Sequence, residues 1–374
     1  MVERTAVKTL VVQLDAPDPA VVAEAARVLR EGGLVAFPTD TVYGLAITAG
    51  NAAAKERLYE VKGRPAHQPC AFLLPDREAL QAHVPALPPI AVRLADRWWP
   101  GPLTLVVPDA EGQLTGLRLP GDGLSRSLAR ATGEPLLQTS ANLAGQPPAT
   151  DGASVARALG GQIDLLLDAG QTPNRLASTV VEVNGERWSL LREGALSEAE
   201  VRSAACDTYL SVCSGNICRS PLADALLAQE TAALLGCEPS DLEARGYRFL
   251  SAGIIAVDGI TVTPEADTAG REVGVDLRDH RSRRVSAELL AETTRAYGMD
   301  RAHIEFLTSY FRERSSDLQL LDPDGGDIRD PYGKSLRMYR RVAKKIQQAC
   351  ARRAAEIVAA RGGPAGDARE TEGS

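Results

Sequence analysis

Apolar and polar positions along the chain alternate between short strands and amphipathic helices. Residues 9–14 read as a strand. Asp18-Pro19 opens a helix whose apolar face is Val21, Val22, Ala25, Val28 and Leu29, and Gly32-Gly33 ends it. A second strand, 34–37, runs into Pro38-Thr39-Asp40-Thr41, and a helix over 52–61 ends in Lys62-Gly63-Arg64-Pro65. The second half alternates more regularly, with strands at 209–212, into Ser251-Ala252-Gly253 and at 296–299. Helices are predicted between and after them, over 222–235, 264–273 and 336–359, the first with Ser220 as cap and Pro221 at its first position. This is the pattern of an α/β protein whose second half is a parallel unit.

Ser197 and Glu200 stand at capping-box spacing and predict a short helix over 197–205. At 374 residues the chain exceeds the ~250–300 at which single cores stop growing, so two domains are expected. The boundary falls in that helix: one domain over 8–196, a linker over 197–207, a second domain over 208–361. The tail from Gly362 is rich in Gly, Pro and acid and predicts disorder. The net charge of −7 excludes a generally nucleic-acid-coated surface while allowing a local basic patch. Six cysteines, with neither a signal peptide nor an 18-residue apolar run, point to the reducing cytoplasm and away from a membrane. Neither a Walker A run nor G-x-G-x-x-G occurs.

The chemistry concentrates in residues 211–223, S-V-C-S-G-N-I-C-R-S-P-L-A. Cys213 leaves a strand end, and the loop closes on a helix N-terminus beside Arg219. Backbone N–H groups curled around such a loop make a nest for one phosphate-sized anion, and the helix dipole and Arg219 favour a thiolate over a thiol. Arg219 suits a phosphoryl group because its fork donates two hydrogen bonds. Gly215 reads as the residue that lets the backbone turn, and Asn216 as the side chain that ties the loop down. A structural zinc loop is disfavoured because no second Cys pair follows at ribbon spacing. Cys218 reads two ways, as packing or as a thiol that resolves oxidised Cys213. Ser220 reads as a partner of the Cys213 sulfur, as a helix cap, or as both.

These residues resemble the signature of the low-molecular-weight protein tyrosine phosphatases. The resemblance runs from about 208 to 361 through Ser251-Ala252-Gly253, Asp279-His280-Arg281-Ser282, Met299-Asp300 and Asp330-Pro331-Tyr332-Gly333. It implies a parallel four-stranded sheet flanked by helices, a Cys-phosphate intermediate on Cys213, and no cofactor. Asp330 fits a general acid on a Pro-stiffened loop, where its bland alternative is a turn-initiating Asp. Asp300 is a weaker candidate as a brace. His280 and His303 read as surface or turn residues. The family includes phosphotyrosine and phosphoarginine enzymes; Ile217, where the arginine-selective members carry Thr, tilts the expectation toward a phosphotyrosine protein. The aromatic often found after S-A-G is replaced around Ala256-Val257-Asp258, which implies a thinner cleft wall.

In the first half, Trp98-Trp99-Pro100-Gly101-Pro102-Leu103-Thr104, Leu117-Arg118-Leu119-Pro120, Thr139-Ser140-Ala141-Asn142, Ser178-Thr179-Val180 and Leu191-Arg192-Glu193-Gly194 put polar residues at the edges of apolar strands. Taken alone, Lys62 and Arg64 are a solvated pair; with these neighbours they suit polyphosphate. The series, with P-T-D-T-V-Y-G-L, resembles the YrdC family of threonylcarbamoyl-AMP synthases over about 8–195. The resemblance implies a twisted open α/β sheet and the use of ATP, L-threonine and bicarbonate, with Mg2+ accompanying ATP. It places Lys62, Arg64, Ser140, Asn142 and Arg192 on ATP and Thr39, Arg118 and Ser178 on threonine. Gln68, Leu73 and Pro148 depart from residues seen in some members.

The expectation is thus a bifunctional enzyme: a synthase supplying threonylcarbamoyl-AMP for a modified adenosine in tRNA, with tRNA or the transferase complex as partner, and a cysteine-dependent phosphatase. The alternative is an RNA-binding module joined to a phosphate sensor. Cys213 and Asp330 separate the two, since a binder needs neither.

Overall fold

The computed structural model describes residues 7–63, 70–310 and 317–361. Arg64 and Gln68, and the tail 362–374, lie outside the described residues. The chain divides into two compact units, Met1–Ala205 and Cys206–Ser374.

In the first unit, ten strands form one sheet among the described residues: β1 Lys8–Val11, β2 Val35–Phe37, β3 Gly44–Thr48, β4 Ala71–Leu73, β5 Leu103–Pro108, β6 Leu114–Arg118, β7 Leu136–Ser140, β8 Leu165–Asp168, β9 Thr179–Asn184 and β10 Arg187–Arg192. Their order is β1-β8-β2-β3-β7-β4-β6-β5-β9-β10, with parallel and antiparallel pairs mixed. Helices α1 Pro19–Arg30, α2 Ala52–Lys62, α3 Pro89–Trp98, α4 Gly123–Thr132, α5 Gly152–Leu159 and α6 Glu198–Ala205 accompany it. Alternate residues of the central strands enter two cores. Val35, Phe37, Leu165 and Leu167 pack with Val22, Ala25 and Leu29 of α1 and Leu124 and Leu128 of α4. Ala36, Leu45, Ile47 and Leu166 pack with Leu58 of α2 and Val155 and Leu159 of α5. Burial on both faces is why these strands read as unbroken apolar runs.

The start of α1 follows from its sequence. Asp18 caps it by accepting the Ala20 N–H at 2.8 Å, and Pro19 sits in the first turn, where no backbone donor is needed. At α6 the capping box forms reciprocally: the Ser197 N–H reaches Glu200 Oε2 at 2.8 Å, and the Glu200 N–H reaches Ser197 Oγ at 3.3 Å. This helix, expected as a linker, packs on α3 inside the first unit.

The second unit has four strands among the described residues: β11 Asp207–Cys213, β12 Tyr247–Gly253, β13 Arg295–Gly298 and β14 Leu318–Leu320, all parallel in the order β12-β11-β13-β14. Its helices are α7 Arg219–Leu235, α8 Pro264–Glu272, α9 Ala287–Ala291, α10 Arg301–Tyr310 and α11 Leu336–Ala360. Tyr209 and Cys213 of β11 face the core of α7, α8 and α11, while Leu210 and Val212 face Leu290 of α9 and Leu307 of α10. Leu226 and Ile346 are fully buried where α7 meets α11, each contributing about 2 kcal/mol by removing its side chain from water. No helix among the described residues is long and apolar enough to cross a membrane.

Candidate functional sites

The second unit reverses direction at β11: β12 pairs on one side of it and β13 on the other. In such sheets the crevice at the strand C-termini is open to ligands. Cys213 is the last residue of β11, 3% exposed, at the floor of a cleft of about 420 Å³ whose walls include Ser214, Ile217, Arg219, Ile255, Asp330 and Tyr332. Its sulfur accepts the Asn216 backbone N–H at 3.2 Å and lies 3.0 Å from Ser220 Oγ. Ser220 also accepts from Asn216 Nδ2 at 2.9 Å and has a second acceptor, the Ala252 carbonyl, at 3.2 Å. Its hydroxyl proton can therefore serve Ala252 while Cys213 is a thiol and turn to the sulfur when Cys213 ionises.

The structure corrects two sequence expectations in this loop. Helix α7 begins at Arg219 with Cys218 in the capping position, so Ser220 lies inside the helix and does not cap it. The left-handed residue is Asn216, at φ 55°, not Gly215; a Cβ at Gly215 would meet only the Ile217 side chain, at 3.5 Å. Asn tolerates this conformation, and here it is held: its Oδ1 accepts the Arg283 N–H at 2.9 Å and its carbonyl accepts His280 Nε2 at 2.8 Å. Gly253, at the end of β12, is the close-approach residue, since a Cβ there would stand 2.6 Å from Ser214 O and 2.9 Å from Asn216 N. His280 is thus a loop fastener, which its D-H-x-S setting signalled only through the family resemblance.

Arg219 is 2% exposed and four groups hold it. Nη1 donates to Asp300 Oδ2 at 2.9 Å and Ile328 O at 3.0 Å; Nη2 donates to Asp330 Oδ2 at 2.6 Å and Ser214 Oγ at 3.3 Å. Asp330, nearly half exposed, reaches the cleft from the opposite wall. His303 is corrected from a surface residue to a buried one, 1% exposed, between Ser214 and Asp300. The one available signal was its position three residues after Asp300, one helical turn away. Cys218 is buried against Thr263 and Tyr339, and burial pushes its thiol up from the ordinary range, the state of a packing cysteine. The expected thin wall is occupied by Ile255, one residue before the stretch singled out from sequence.

In the first unit, a cleft of about 380 Å³ opens over β5, β6, β7 and β9. Arg118, Ser140, Ser178 and Arg192 line it together. Arg118 is 5% exposed; its Nη2 donates to Asp40 Oδ1 at 2.6 Å and Thr41 Oγ1 at 2.7 Å, while its buried Nε has no hydrogen-bond partner among the described residues. Arg192 donates to Ser178 O at 2.7 Å, and Ser178 Oγ lies 2.8 Å from Thr104 Oγ1. Burial first, and then the Arg118 charge, weakens the hold of the Arg192 guanidinium on its proton. Two guanidiniums sensing one another, one with an N–H to spare, make a site suited to a small anion. Gly194 allows the approach, because a Cβ there would stand 2.2 Å from Ala177 O.

Other predicted residues are placed differently. Thr39 is fully buried, donating to Val42 O at 2.8 Å within its turn, and Val42 reaches the cleft wall instead. The Lys62 ammonium donates to Ser140 O at 2.5 Å, to Asn142 Oδ1 at 3.0 Å and to the Asn142 carbonyl. Asn142 Nδ2 is tied to Gln146 O at 2.6 Å. Lys62 and Asn142 thus brace the turn that presents Ser140. Asp122, unremarked in the sequence, caps α4 and accepts the Asp40 N–H at 3.0 Å, fixing the loop that feeds Arg118; burial pushes its carboxyl up.

Each unit has known relatives. The Sua5/YciO/YrdC family model, described as telomere recombination, matches residues 27–194, and the model of the low molecular weight phosphotyrosine protein phosphatases matches 209–361. The chain is 38% identical over 186 residues to the threonylcarbamoyl-AMP synthase of Pyrococcus abyssi, covering 47% of this chain and 55% of that protein. It is 32% identical over 190 residues to the putative threonylcarbamoyl-AMP synthase of Mycobacterium tuberculosis, covering 48% of this chain and 87% of that protein. The structure of P. abyssi Sua5 complexed with L-threonine aligns over 92% of this chain and 98% of its own, with TM-score 0.50 and 21% identity, a likeness of fold. The chain belongs to the Sua5/YciO/YrdC family through its first unit and carries a low molecular weight phosphatase domain as its second. It spans little more than half the length of the P. abyssi relative.

Proposed function

We propose that the first unit makes threonylcarbamoyl-AMP from ATP, L-threonine and bicarbonate, and that the second hydrolyses phosphotyrosine in protein. For the first unit, the observation that carries the reading is the buried Arg118 Nε, without a partner among the described residues, beside Arg192. A threonine carboxylate supplies the missing acceptor, and the Ser178 and Thr104 hydroxyls beside it suit a substrate with its own hydroxyl. The carbamate of N-carboxylated threonine must attack the α-phosphorus of ATP, and the Arg192 charge offsets the repulsion between these anions. Thr139, Ser140 and Glu182 bring oxygen donors of the kind Mg2+ takes alongside ATP phosphates, and the ion supplies further charge neutralisation when bound. The product would pass to the transferase that modifies tRNA. Pyrophosphate release requiring both threonine and bicarbonate tests the reading; release indifferent to either defeats it.

For the second unit, the Cys213 sulfur between a loop amide, the Ser220 hydroxyl and the Arg219 fork carries the reading. The thiolate attacks phosphorus while Arg219 binds the equatorial oxygens; the P–O bond to the leaving group breaks, and Asp330 protonates the departing oxygen. Water then attacks the Cys-phosphate, giving its proton to Asp330, and phosphate leaves. Ile217, Ile255 and Tyr332 form apolar walls that accept an aromatic ring more readily than a charged guanidinium, which favours phosphotyrosine over phosphoarginine. Turnover of paired phosphotyrosine and phosphoarginine peptides tests this, and faster phosphoarginine turnover reverses it. A thiol that must stay reduced fits the cytoplasm.

A further inference from the structure

Arg219 closes a ring of hydrogen bonds that the reaction itself does not require. His303 Nδ1 accepts the Asp300 backbone N–H at 3.2 Å, and Asp300 Oδ1 lies 2.8 Å from the same ring nitrogen. An Nδ1 that accepts has a lone pair, so in the neutral imidazole the proton sits on Nε2. Nε2 is then a donor to Ser214 Oγ, 3.1 Å away. Ser214 Oγ keeps its second lone pair for Arg219 Nη2 at 3.3 Å, and Asp300 Oδ2 completes the circuit at Nη1, 2.9 Å away.

We propose that His303 is a positioning residue, acting through Ser214 and Asp300 to hold the Arg219 guanidinium in its phosphate-binding orientation while Asp330 leaves it. The need is geometric. Nη2 has two partners, and Asp330 must abandon it to reach the leaving-group oxygen. What then remains on the guanidinium is Ser214, Asp300 and the Ile328 carbonyl, and two of these three are oriented by the imidazole. The charged groups facing His303 are Asp300, Asp330 and Asp327, which favour its protonation, and Arg219, which opposes it. Burial outweighs them and keeps the ring neutral, the form in which Nδ1 can accept the Asp300 N–H. Asp300 also caps α10 through the His303 N–H at 3.2 Å, so the imidazole is anchored at both ends of its own residue.

This inference rests on the phosphatase reading, and the test separates the two. The full chain with Ser214→Ala, His303→Ala, both changes, or His303→Gln is measured for p-nitrophenyl phosphate kinetics and, without turnover, for inorganic phosphate binding by calorimetry. Ser214→Ala and His303→Ala are each expected to lower kcat/KM roughly ten- to hundredfold, with phosphate affinity falling in step, and the double variant to be no worse than either single one. His303→Gln, which keeps a donor for Ser214, is expected to recover part of the loss. A silent Ser214→Ala, or losses that multiply in the double variant, overturns the proposal, and Ser214→Ala decides the matter even if the His303 variants misfold. Failure of the phosphatase reading looks different: wild-type protein that binds phosphate and turns nothing over.

Discussion

Arg219 Nη2 and Asp330 Oδ2 stand 2.6 Å apart, so the cation suited to phosphate and the acid suited to the leaving group are paired with one another. A phosphoryl group entering the cleft takes the place of Asp330 on the guanidinium and frees the carboxyl for the leaving-group oxygen. Substrate binding and arming of the acid are then one event.

Cys213→Ser is expected to abolish p-nitrophenyl phosphate hydrolysis, while Asp330→Ala slows it by about 10²–10⁴. The loss in Asp330→Ala should shrink with phosphate esters whose leaving groups are more acidic, because they need no proton. Steady-state rates across such a series check this, and an unchanged ratio would remove Asp330 from the acid role.

Arg219→Lys is expected to lose about 10²-fold or more in kcat/KM, since one ammonium cannot span Asp300 and Asp330 while also forking onto phosphate. Full activity in the lysine variant would show that point charge, not fork geometry, is what the site uses.

Gly253→Ala should cost about 1–3 kcal/mol and slow catalysis, because the new methyl meets the backbone of Ser214 and Asn216, and neither can step aside without reshaping the loop. Chemical denaturation and kinetics on one preparation check both effects. The same reasoning shows what could and could not be read from the chain. The S-A-G strand end, the α1 cap at Asp18 and the thiol loop were legible because each is decided by neighbours in sequence. The left-handed turn at Asn216, the burial of His303 and the commitment of Lys62 to the Ser140–Asn142 turn were not, since residues 67 to 89 positions away decide them. Strand order in the first unit was equally hidden: β3 pairs Gly44 with Ser140, a register that periodicity does not encode.

Arg118→Ala is expected to abolish threonine-dependent pyrophosphate release, with Arg118→Lys no better, because a lysine cannot reach Asp40, Thr41 and a carboxylate together. An undiminished rate in the alanine variant would assign the threonine site elsewhere.

Asp224 on α7 is half-buried, and burial pushes its carboxyl up from 3.8 to about 7, with Arg283 and then Ser251 opposing. Held as the neutral acid, it contributes its stability in full below the unfolded value, and that contribution is lost as pH rises through about 7. Asp224→Asn, which cannot ionise, should therefore raise the denaturation midpoint relative to wild type more at pH 8 than at pH 4. Equal shifts at both would show that the carboxyl is solvated.

The two guanidiniums over β6 and β10 repel each other in a cleft whose anionic groups are Asp40, paired with Arg118, and Glu182 on the wall. A small anion bound between them offsets that repulsion. Sulfate or phosphate at modest concentration should raise the melting temperature of the first unit beyond what ionic strength explains, and Arg192→Ala should erase the difference.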